Sequence, residues 1–66
     1  MPRLIRFEAV GMIKSYPLFV NPLHVRAVQP VSDEVTRLSW ADPGQMPVDV
    51  RGGVQEIVAL IDGAMK

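Results

Sequence analysis

Between Val35 and Met65 the spacing of the apolar residues changes once, from every second position to every third and fourth, and the change falls at Arg51-Gly52-Gly53. A chain with that pattern must fold as strands followed by a helix. Val35 to Trp40 alternates, with Thr36, Leu38 and Trp40 on one side and Val35, Arg37 and Ser39 on the other. Leu38 and Trp40 are the expected inward pair. Asp42-Pro43-Gly44-Gln45 then reads as a type II turn, with proline pre-setting the second position and glycine accepting a positive φ at the third. Met46, Val48 and Val50 are expected to face the core, leaving Asp49 outward to pair across the hairpin with Arg37. From about Val54 to Asp62, the residues Val54, Ile57, Val58 and Ile61, with Met65 beyond, form the apolar stripe of a helix. Gly53 is the expected N-cap, Glu56 lies in the first turn, and Gly63 is expected to stop the helix in a left-handed conformation. Leu60 falls off the stripe and is free to face a partner.

The first half repeats the strand pattern. Leu4 to Val10 places Ile5, Phe7 and Ala9 on one face and Arg6 and Glu8 on the other. Gly11 breaks this strand, and Met12 to Pro17 forms a longer connection before Leu18-Phe19-Val20 resumes an extended pattern. The first hairpin therefore carries an apolar tip. Asn21-Pro22 reads as a cap followed by a proline at the first position of a short helical turn through His24. A further strand leads from Val25 to Val31, and Ser32-Asp33-Glu34 turns the chain. The expected fold is α+β: a small antiparallel β-meander or partly open barrel of four to five strands with one C-terminal helix, in a single domain.

Size and composition narrow the roles. At 66 residues the chain buries only about 60% of the surface its unfolded state exposes, so added support is expected. With no cysteine and one histidine, neither disulfides nor a thiolate metal site supplies it, which leaves self-association or a protein partner. Seven basic and seven acidic residues cancel, which argues against a protein whose affinity comes from neutralising many phosphates. No stretch approaches the ~20 apolar residues of a membrane span, and the charged start from Met1 to Arg6 is unlike a signal peptide. A cytoplasmic protein without membrane contact is expected.

No cofactor and no catalytic or metal residue is expected. His24 lies between Leu23 and Val25 with no titratable partner in register, and catalysis needs one within hydrogen-bond reach. Asp33-Glu34 reads as a solvated turn. Arg51-Gly52-Gly53 lacks the spacing of a phosphate-binding loop and reads as a flexible strand-to-helix corner. Ser15, Ser32 and Ser39 have no nucleophile-elbow setting. Arg6, Arg26 and Arg37 would make a basic stripe if they shared a face, the footprint of a small nucleic-acid-binding barrel, but Glu8 and Asp49 interrupt it and stacking aromatics are scarce. Met12, Ile13 and Tyr16 at the hairpin tip either fold back onto the core or form an exposed patch suited to contact with another protein. Together with Leu60 they are the candidate partner-binding residues, for a homo-oligomer or another protein.

The run Phe19-Val20-Asn21-Pro22-Leu23-His24-Val25-Arg26-Ala27-Val28, then Thr36-Arg37-Leu38, Pro47-Val48-Asp49-Val50 and Gln55-Glu56-Ile57-Val58-Ala59-Leu60-Ile61, resembles the small FlbD-like flagellar and swarming-motility proteins. It equally resembles short bacterial and phage proteins of unassigned role built on the same pattern. The resemblance spans Phe19 to Ile61 and implies this architecture and a non-enzymatic role; a motility accessory and a phage-encoded protein are both compatible with it.

Overall fold

The computed structural model describes residues 3–65. Met1 and Pro2, part of the charged start weighed against a signal peptide, lie outside the described residues. The order of elements is β1 (Ile5–Ala9), β2 (Tyr16–Val20), a 3-10 turn (Pro22–His24), β3 (Val25–Pro30), β4 (Val35–Trp40), β5 (Val48–Arg51) and α1 (Val54–Ala64). The strands form one antiparallel sheet in the order β2-β1-β5-β4-β3. It combines a hairpin, β1 with β2, and a meander, β3 to β5. They join where Ala9 lies opposite Val50 and the Val10 N–H donates to the Asp49 carbonyl at 2.8 Å. This is the expected α+β fold.

The outermost strands, β2 and β3, are consecutive in the chain and are linked only by Asn21 and the 3-10 turn. Five strands laid flat would put these edges roughly 19 Å apart, at about 4.8 Å per strand. A link of this length, three of its four residues wound at about 2 Å per residue, falls short of that span. The sheet therefore curls towards a barrel without closing. Asn21 shapes the link as expected: its Oδ1 accepts from the Leu23 N–H at 3.0 Å, and Pro22 begins the turn and is buried. Each outermost strand also carries a proline, Pro17 opposite Glu8 in β2 and Pro30 opposite Thr36 in β3. Proline has no N–H to add to a ladder and is tolerated at such edges.

The core lies in the curl of the sheet. Ile5, Phe7 and Ala9 from β1, Val20 from β2, Leu38 from β4 and Val50 from β5 are buried, and α1 seals them with Ile57 and Ala64. Val28, Val48, Ile61 and Trp40 pack at the margin. Trp40 thus points inward with Leu38 but finishes only partly covered, because it stands at the end of β4 beside the open seam.

Four expectations are corrected. Met46 is 83% exposed rather than inward, because β5 begins only at Val48; its carbonyl instead accepts from Trp40 Nε1 at 2.9 Å. The Asp42–Gln45 turn is not type II, since Gly52 is the one positive-φ glycine among the described residues. The turn is closed by Gln45 N–H to Asp42 carbonyl at 3.1 Å, and Asp42 Oδ1 accepts from the Gly44 N–H at 2.9 Å, so no left-handed residue is needed. Gly63 does not stop the helix, which runs on to Ala64 and ends on Met65 in a right-handed conformation. The Ala64 carbonyl there accepts from the Arg3 N–H at 3.2 Å, so the chain's own start helps to cap α1. Finally, the Arg51-Gly52-Gly53 corner is pinned rather than flexible. Gly52 N–H donates to the Glu34 carbonyl at 2.6 Å, and the Gly52 carbonyl accepts from Thr36 Oγ1 at 2.8 Å.

Candidate interaction surface

The connection between β1 and β2 is built on Gly11. A Cβ there would lie 2.4 Å from the Lys14 carbonyl oxygen, a distance no side chain tolerates, so only glycine lets the chain turn back this tightly. The consequence is that the next two residues project. Met12 and Ile13 are fully exposed, and Tyr16, the first residue of β2, is 45% exposed opposite Ala9. The apolar tip is therefore a protruding finger, not a flap folded onto the core.

Leu60 does not join it. It is 46% exposed on α1 and lines a groove of about 500 Å³ with Leu4, Ile5, Ala59 and Gly63, beside the start of β1. The finger extends beyond the opposite end of that strand. Phe19, unassigned in the sequence reading, is 63% exposed on the outer face of β2, opposite Arg6. Its signal becomes visible only with the hairpin register: a residue opposite the outward Arg6 must itself be outward. Leu23 and Leu4 are further exposed apolar residues.

The outer face of the sheet carries paired charge. Arg37 lies opposite Asp49, its Nε donating to Oδ1 at 2.8 Å and its Nη2 to Oδ2 at 3.4 Å. The Asp49 hydrogen bond, then the Asp49 charge, raises the Arg37 guanidinium above its ordinary value. Arg51 Nε lies 3.7 Å from Glu8 Oε2 and donates to Ser15 Oγ at 3.1 Å. Arg26 sits where the β3–β4 register shifts, in a bulge. Arg6, Arg26 and Arg37 therefore make no uninterrupted basic stripe: Glu8 and Asp49 intervene as expected, and Arg37 is already neutralised. Exposed pairs of this kind add little stability.

The polar candidates remain apart. His24 ends the 3-10 turn, exposed, and Asp33 and Glu34 occupy the turn between β3 and β4, where Ser32 Oγ accepts from the Glu34 N–H at 3.3 Å. Among the described residues no three His, Cys, Asp or Glu side chains come together to hold a metal, and no helix is long and apolar enough to cross a membrane. Fold and surface together define a small α+β domain with a curled, open antiparallel sheet and a protruding apolar hairpin tip. No protein-family model, curated protein or solved structure matches the chain.

Proposed function

We propose that this protein is a small non-enzymatic interaction module that binds a protein partner through its first hairpin tip and self-associates. The observation that carries this reading is the full exposure of Met12 and Ile13 on a loop whose shape Gly11 enforces. Two apolar side chains held in water by the fold are costly to the isolated chain, and exposed apolar patches of this sort mark protein contacts. Methionine and tyrosine suit such a contact, since both are enriched where proteins meet. The small size and the lack of cysteine add to the case, because association supplies the support that disulfides would otherwise give.

The test is to replace Met12, Ile13 and Tyr16 together with serine and to measure mass by light scattering over a concentration series. Loss of association with retained circular dichroism supports the reading. Association unchanged by the triple substitution would remove the tip from the interface and sink it.

A further inference from the structure

The helix covers the middle of the sheet and leaves one flank of it open. Ile57 and Ala64 turn to the core, and Leu60 lies to one side of them, towards β1. Val58 and Met65, two turns apart, lie to the other side, towards β3, and both are half-exposed. Between them and β3 runs a groove of about 440 Å³. Its floor is Val25, Val28 and Ile61, which pack against the core, and half-exposed Leu23 adds to its wall from the 3-10 turn. Residues three apart in a regular strand face opposite ways, so it is the bulge at Arg26 that brings Val25 and Val28 to one face. The isolated chain thus leaves an apolar groove in water.

The hairpin finger has the shape and chemistry to fill it. Met12 and Ile13 each match leucine in heavy atoms, and a cavity for one such side chain is roughly 150 Å³, so the pair needs roughly 300 Å³ and the groove has the room. A molecule cannot fill its own groove. Gly11 holds the finger beyond the end of β1, whereas the Arg3 N–H bond to the Ala64 carbonyl places the Met65 end of the groove at the start of that strand. The length of β2 separates the finger from the 3-10 turn in the same way. Charge selects how a finger enters. Lys14 follows Ile13, and the groove carries Asp62 on its α1 side and Arg26 on its β3 side. Seating Lys14 towards α1 brings opposite charges together, and the reverse sets it against Arg26.

We propose that the occupant of this groove is the Met12-Ile13 finger of a second copy, inserted between α1 and β3. The proposal rests on the tip being the self-association element and names the surface that receives it. Both halves of the contact are carried by one chain, so a second copy covers each of them. The contact is head-to-tail, because finger and groove are different patches.

The experiment measures mass by light scattering over a concentration series for two variants, each shown folded by circular dichroism, separately and mixed. Met12→Ser/Ile13→Ser removes the finger, and Val58→Glu blocks the groove; Leu23→Glu replaces Val58→Glu if that variant does not fold. Each alone should stay monomeric at concentrations tenfold above those at which the wild type associates. Their equimolar mixture should form a dimer, since one intact finger and one intact groove remain. A groove variant that associates like the wild type, or a mixture that stays monomeric, overturns this proposal; with a monomeric finger variant, the tip reading still stands. Association of the finger variant, or a wild type that is monomeric throughout, overturns both.

Discussion

Thr36 Oγ1 donates to the Gly52 carbonyl at 2.8 Å, tying the middle of the sheet to the corner from which the helix departs. Thr36 is fully buried, and Gly52 has φ +122, a conformation that glycine adopts without strain. Threonine here serves neither as surface nor as filler; it fixes the helix entry. Thr36→Val keeps the shape and removes the donor, leaving the Gly52 carbonyl unpaired. It should lower stability by about 1–3 kcal/mol in urea unfolding, and an unchanged midpoint would show that water takes over the bond.

Gly52→Ala should cost more than an ordinary surface change. The new Cβ meets the Ile57 Cδ1 at 3.0 Å, and the backbone conformation is unfavourable for any L side chain. A loss of about 1–3 kcal/mol is expected, with α1 displaced from the sheet in amide-shift maps.

Gly63→Ala should have the opposite sign. Gly63 lies inside α1 rather than past its end, and a Cβ there meets nothing within 4 Å. Replacing a helical glycine by alanine should add about 0.5–1 kcal/mol, read as a higher melting temperature. A lower melting temperature would mean that the helix ends before Gly63 in solution.

Leu38→Ala should be the most damaging single truncation. Leu38 is completely buried between β3 and β5, and removing its branched end leaves a cavity under α1. The expected loss, about 2–5 kcal/mol, is of the order of the whole stability of so small a domain. Heteronuclear spectra should collapse to the narrow dispersion of an unfolded chain.

The Arg37–Asp49 pair should leave no mark on the pH profile near neutrality. Asp49 raises the Arg37 guanidinium, so whatever the pair contributes is fully present below the unfolded-state value and fades only as pH rises through the folded one, far into alkali. Melting temperatures of wild type and Asp49→Asn measured across the neutral range should therefore run parallel. A gap that opened or closed there would point to another titrating group.

Strand faces were legible because period-two alternation survives in β1 and β4, and Asn21-Pro22 announced the 3-10 turn by its capping chemistry. Helix and sheet boundaries that depend on distant partners were not. Gly63 looked like a stop because its sequence neighbours do not reveal that Arg3 supplies the closing N–H. Met46 looked inward because alternation was extended back through Pro47 into a turn. The projecting tip was half legible: Met12 and Ile13 were singled out, but their exposure follows from the approach of Gly11 to the Lys14 carbonyl. The exposure of Phe19 was not legible, since only the hairpin register sets it opposite the outward Arg6.

Pro17 and Pro30 sit in the two outermost strands of an open sheet. Each removes a backbone donor from a border that would otherwise invite another copy to add on strand by strand, the route to fibres. The molecule can thus display an apolar finger at high concentration and still be directed towards contacts made by side chains, which have a defined partner and a defined end.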